Sequence, residues 1–244
     1  MAKLNPVFSG IRTDEAVYDV ATVKGVAMKT FILLGIAVLS AFFFMTTGAS
    51  FIVNSPGILI VAIIGAVICG IAGQMSPRAA KVCGIIYAVC EGMMLGLISF
   101  MFEAVIGGVV LSAILITFTI FGVMLFLYTS NIIRVTGRFM RIMSTIGISI
   151  LIMSLIYTIS YLINPYNMLI VALSNNTGLL VIVSLFILLY GAFMLAVDFE
   201  QVKITVANGF DRRYEWMAAL GLMVTLVWIY VEVLRLLAIL ADRD

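Results

Sequence analysis

GLLVIVSLFILLYGAFMLAV, residues 178–197, runs for twenty positions without a charged side chain. About twenty apolar residues is the length an α-helix needs to cross the hydrocarbon core of a bilayer. Working outward, six further predominantly apolar runs lie at 28–48, 56–73, 82–102, 105–128, 142–163 and 216–241. The seven runs together predict an all-α integral membrane protein, a seven-transmembrane-helix bundle. Composition agrees: of 244 residues, 64% are apolar and 11% charged, with a mean hydropathy of +1.25. Soluble domains hold about 45–50% apolar residues and about a quarter charged ones, so lipid is the main solvent of this chain. Pro6, Pro56, Pro77 and Pro165 all fall outside the runs or at a first turn, where a missing N–H costs nothing.

The charges divide the connections into two sets. Lys3, Arg12, Lys24 and Lys29, then Arg78 and Lys81, then Arg134, Arg138 and Arg141, then Lys203, Arg212 and Arg213 all fall on one face of a seven-span topology. The opposite connections, around 49–55, 103–105 and 164–177, have no Lys or Arg, and Arg243 follows the last run. Positive charge stays on the cytoplasmic side of a membrane protein, so the N-terminus is expected to be cytoplasmic and the C-terminus outside. Residues 1–27 then form a cytoplasmic tail and residues 28–241 the transmembrane domain, in a cell membrane of plasma or bacterial inner type. The basic face suits anionic lipid headgroups. Its charges are spread over four connections without aromatic partners, which argues against nucleic acid. Within 164–178 the apolar run 168–173 is too short to span, and is expected to be an interfacial or re-entrant piece.

The chain contains no histidine, which removes Ser-His-Asp and Cys-His catalysis, His-rich zinc sites and histidine pH sensing. Cys69, Cys83 and Cys90 lack the paired spacing of a zinc or redox motif and read as packing residues. Helices in lipid are held together by close approach through small residues. Gly84, Ala88, Gly92 and Gly96 of the third run, and Ala62, Ala66 and Gly70 of the second, are the expected contact stripes. An intramembrane aspartyl protease would need paired Asp motifs on neighbouring helices, and the seventh run carries only Glu. No enzyme and no bound cofactor are expected.

The charges inside the runs are few, and each costs about 2.5–3.5 kcal/mol at the bilayer centre on insertion scales. Glu91 lies within IIYAVCEGMMLGLI (85–98), Asp198 and Glu200 follow the sixth run, and Glu232 lies within LVWIYVEVLRLLAIL (226–240), three residues before Arg235. Glu232 and Arg235 share a helix face and can form an intrahelical ion pair. Alternatively, Glu232 shares a cavity with Asp198. Two carboxylates in a desolvated site cannot both ionise cheaply, so such a pair would share a proton and act as a proton-dependent latch. Glu91 is either a hydrogen-bonded structural acid or a third oxygen in an ion pathway.

LLYGAFMLAVDFEQV (188–202), WIYVEVLRLLAIL (228–240) and AVCEGMMLG (88–96) resemble motifs of the transmembrane Bax inhibitor motif family, and the likeness covers nearly all of the chain after about residue 28. The resemblance, to a bacterial-type member, implies a central seventh helix wrapped by the other six and a pH-sensitive calcium leak. It places the proton-sharing pair at Asp198 and Glu232. Three departures stand out. The second acid is Glu where the family usually has Asp. The basic latch residue would fall near Gln74, with only Arg78 and Lys81 nearby. The two acids are 34 residues apart, more than is usual. They would meet only if the sixth helix ran on to about Ala207 or if 208–213 formed a tucked-in loop; otherwise Glu215 is the acid nearer to Asp198.

The function expected on these grounds is a pH-sensitive cation leak channel or transporter for Ca2+, gated by the Asp198/Glu232 pair. Asp198 and Glu232 would be transient Ca2+ ligands, because carboxylate oxygens are the hard donors Ca2+ prefers. Glu91 and Arg235 complete the expected ion pathway. The alternative is a membrane-embedded regulator that binds membrane-protein partners, such as a protease or stress factor, without transporting.

Overall fold

The computed structural model describes residues 20–48, 57–164 and 176–241. Seven α-helices fill them: α1 (Val23–Phe43, continued by a π-helical turn, Phe44–Gly48), α2 (Gly57–Met75), α3 (Ala80–Val105), α4 (Val109–Thr129), α5 (Gly137–Ile163), α6 (Thr177–Ala207) and α7 (Tyr214–Ala241). All seven are long and apolar enough to cross a membrane. Large apolar side chains such as Phe31, Val61, Phe126, Leu151 and Phe186 point outward along the bundle, and in a chain of this composition they meet lipid. The 168–173 segment and residues 1–19 of the expected tail lie outside the described residues.

The helix ends are set by local chemistry. Thr22 caps α1 by accepting from Gly25 N at 2.9 Å, and Asn176 caps α6 by accepting from Leu179 N at 3.0 Å. Glu103, near the end of α3, accepts from Gly108 N at 2.7 Å and Val110 N at 3.0 Å. It thereby satisfies N–H groups at the start of α4 that have no partner within their own helix. The α6–α7 turn uses Gly209 at φ +63°, a left-handed conformation glycine adopts without penalty. Several expected boundaries move. α1 begins at Val23, within the expected tail, α4 begins at Val109 and α5 at Gly137 in place of the expected 105 and 142, and α6 continues ten residues past Val197 to Ala207. The added segment, DFEQVKITVA, is too polar to read as membrane-spanning, yet it keeps the helical hydrogen-bond ladder.

α7 is the central helix. It packs against α1, α2, α3, α4 and α6, and half of its most apolar window is buried, against none for α5. α5 stands at the rim, in contact with α6. The small-residue stripe of α3 faces α1: a Cβ on Gly92 or Gly96 would strike the carbonyl oxygens of Ala37 or Ala41, and one on Gly84 would touch Leu33. Gly65 and Gly70 of α2 face Cys90 and Tyr87 of α3. Interhelical hydrogen bonds add to this packing, from Ser40 Oγ to Val89 O at 2.9 Å and from Tyr128 OH to Glu200 Oε2 at 2.6 Å.

The basic ends of α1 and α7 are locked together. Glu215, 2% exposed, accepts from Lys29 Nζ at 2.6 Å, Thr22 N at 2.7 Å and Thr22 Oγ1 at 3.1 Å. Gly25 makes room for this carboxylate, since any Cβ there would overlap it. Lys29 Nζ lies 5.2 Å from the Trp216 ring centre, and Lys81 Nζ 5.9 Å. Beside the lock, Ala21 N donates to Phe210 O at 2.8 Å.

Two stability predictions follow from this packing. Gly92→Leu should separate α1 from α3 and lower stability by about 1–3 kcal/mol, the usual cost of overpacking. Gly122→Leu, with open space around it, should be neutral, and thermal unfolding in detergent compares the two. Lys29→Met leaves the buried Glu215 with only the exposed Arg212, 4.0 Å away, as a cation and should cost about 3 kcal/mol. The Lys29→Met/Glu215→Gln double variant should recover part of that loss, and an additive double variant would show the two groups uncoupled.

Candidate functional site

Two contacts fix the depth of every acid relative to α7. Ser99 on α3 and Tyr230 on α7 share a hydrogen bond of 2.8 Å, and these helices run parallel. Gly191 on α6 abuts Ile229, where a Cβ would meet Ile229 Cγ1 at 3.0 Å, and α6 runs antiparallel to α7. Eight residues back from Ser99 is Glu91, and eight back from Tyr230 is Leu222. Seven residues on from Gly191 is Asp198, and seven back from Ile229 is again Leu222. Glu91 and Asp198 thus lie at one depth on different sides of α7. Glu232 is ten residues further along, a rise of about 15 Å.

The shared Asp198/Glu232 cavity expected from the sequence is therefore not formed. The extension of α6 to Ala207 does lift Asp198 into the bundle, about 13 Å from the helix end at 1.5 Å per residue. That lift brings it level with the start of the central turns of α7 and no further. Asp198 instead faces the hydroxyl of Thr225, which also donates to Gly221 O at 3.3 Å. Glu232, 5% exposed, has Oε2 3.8 Å from Arg235 Nη1, with Arg235 half-exposed. Of the two readings of Glu232, the ion pair within its own helix is the one present, at a length and exposure that make it weak. Ser184 on α6 faces Glu232 across the interface without closing a hydrogen bond.

Three buried side-chain oxygens lack a hydrogen-bond partner among the described residues: Ser184 Oγ, Asp198 Oδ2 and Glu232 Oε1. All three are on α6 or α7. Buried polar atoms in proteins nearly always have partners, so three exceptions on one helix pair stand out from the rest of the bundle. Ser184 and Thr225 were not singled out from the sequence. A lone hydroxyl in an apolar run such as VIVSLF was the available signal, and it is a weak one, because hydroxyls in helices usually bond their own backbone, as Thr117 does to Ala113 O at 2.8 Å.

Glu91 interacts with Tyr87, one turn before it on α3. The two line a hollow of about 500 Å3 between α3, α5, α6 and α7, and a neighbouring one of about 660 Å3 reaching α2. The expected latch position, Gln74, lies against α7, where a Cβ on Gly221 would be 3.3 Å from Gln74 Nε2. It places an amide there and no positive charge. No group of three acidic, cysteine or histidine side chains converges among the described residues. A Ca2+ ion takes six to eight oxygens, so Asp198 and Glu232 offer single carboxylates at separate depths and no joint metal cage.

If these acids serve function at the expense of stability, Asp198→Leu and Glu232→Leu should each leave the bundle as stable or raise its stability by about 1 kcal/mol, since a buried unpartnered oxygen disappears. Thermal unfolding would show it. A loss comparable to that of Lys29→Met would make them structural.

The geometry can be set beside known proteins. The sequence model of the family described as Bax inhibitor 1 like matches residues 5–242. Comparison with curated proteins and with solved structures gives no match. A match over nearly the whole length, on a bundle of seven membrane-spanning helices around α7, shows that the chain belongs to the Bax inhibitor 1 like family.

Proposed function

We propose that the protein is a proton-sensitive cation leak, with Ca2+ as the permeant ion, whose carboxylates act in series along α7. The observation that carries this reading is the set of three unpartnered buried oxygens on α6 and α7. A carboxylate oxygen without a hydrogen-bond donor, deep in an apolar bundle, is an acceptor left for a cation or for water. Asp198 would form one station and Glu232 the next, about 15 Å further along by helix rise, while Glu91, on another side of α7, lies off this line. Protonation neutralises each station separately, so gating needs no contact between Asp198 and Glu232. Arg235, beside Glu232, would tune the outer station.

The basic end of the bundle, with Arg134, Arg138 and Arg141 beside the start of α5, would face the cytoplasm and anionic lipid headgroups, in a cell membrane. Family membership supports a channel or a regulator alike, and the acid stations favour the channel.

Purified protein in liposomes loaded with a calcium dye should pass Ca2+ faster than empty vesicles. Flux should rise as the acids lose protons, because only the ionised form draws a divalent cation. Asp198→Asn and Glu232→Gln should each flatten that dependence and lower the flux. Equal flux with and without protein would overturn the proposal, and crosslinked membrane partners alongside absent flux would favour a regulator.

A further inference from the structure

The hollow beside Glu91 has a chemistry that the leak does not use. Tyr87, Tyr190 and Trp228 present aromatic rings to it, Glu91 presents a carboxyl, and no Lys or Arg is among its lining residues. Glu91 has no ion pair among the described residues. The remaining walls are aliphatic, including Leu95 and Val227. The rings are held in place: Tyr190 OH donates to Met143 O at 3.1 Å, and the Tyr190 and Trp228 rings meet edge to face at 5.4 Å. The hollow exists because α5 packs on α6 at the rim, leaving Gly147 and Leu151 of α5 across a gap from α7.

We propose that this hollow is a binding site for a lipophilic amine, an ammonium group carried on an apolar body, with Glu91 as counter-ion and the three rings around the cation. A volume of about 500 Å3 lies within the ~300–1,000 Å3 range of small-molecule pockets. Aromatic faces attract an ammonium through their quadrupole, and more strongly where water is excluded. The carboxylate offsets the cost of bringing that charge out of water. The occupant is not a phospholipid headgroup. Glu91 lies eleven residues into α3, a rise of about 16 Å, near the middle of a hydrocarbon core about 30 Å thick, whereas headgroups stay at its surface. Leu151, 68% exposed, lines both hollows and marks a lateral mouth open to lipid, the side from which an amphipathic amine arrives. The site does not depend on ion conduction, and binding can be read with no ion gradient present.

The test uses the full chain in zwitterionic-lipid nanodiscs, carrying Trp216→Phe so that Trp228 is the sole tryptophan. The probe is dansyl-tagged undecylamine, compared with its N-acetylated neutral counterpart. Saturable quenching of Trp228 emission by the amine and not by the amide is expected, with affinity at least about tenfold weaker in Glu91→Gln and retained in Glu91→Asp. Leu151→Phe, which narrows the mouth from a lipid-facing position, should also weaken binding, so a poorly folded Glu91→Gln would not end the test. Equal binding of amine and amide would overturn the proposal, as would undiminished amine binding in a folded Glu91→Gln or in Leu151→Phe.

Discussion

Glu215 is the hinge point of the architecture. A carboxylate 2% exposed at the first turn of the central helix is held by Lys29 and Thr22 from α1, with Gly25 leaving it space and Arg212 at 4.0 Å on its own side. In lipid no hydrophobic force draws one helix to another, so a directional polar contact of this kind fixes which face of α7 turns toward α1. The remaining contacts build on that orientation. Ser99 then meets Tyr230, Gly191 meets Ile229, and the depths of the three inner acids follow.

Glu215 and the inner acids illustrate opposite uses of the same side chain. Glu215 is saturated with donors and anchors the fold. Asp198 and Glu232 each keep a buried oxygen without a partner, although a hydroxyl or an arginine stands close by. An anchoring carboxylate gains by full hydrogen bonding, whereas the proposed leak would need carboxylates that keep a free lone pair for a proton or an ion. Glu91 falls between these cases, touching Tyr87 and otherwise facing open space. That space follows from the marginal position of α5, the helix with the least buried surface.

The spans were legible because the bilayer imposes one length and one polarity on every crossing. The small-residue stripe of α3 was legible for a related reason: only Gly at 92 and 96 admits the backbone of α1 so closely. The continuation of α6 through DFEQVKITVA was not, since hydropathy reports where lipid ends and not where the hydrogen-bond ladder ends. The partnership of Glu215 with Lys29 was hidden by its separation of 186 residues, with no periodic pattern linking the two.

The sequence by itself determined the number of crossings, the concentration of basic residues at one end and the identity of the acids that enter the bundle, because each is a local property of composition. Tertiary structure alone decided which acids share a depth. Asp198 and Glu232 suggest a pair when their motifs are read separately, but register between packed helices is set by contacts such as Ser99 with Tyr230. A shift of a few residues in that register moves a carboxylate by a full helical turn.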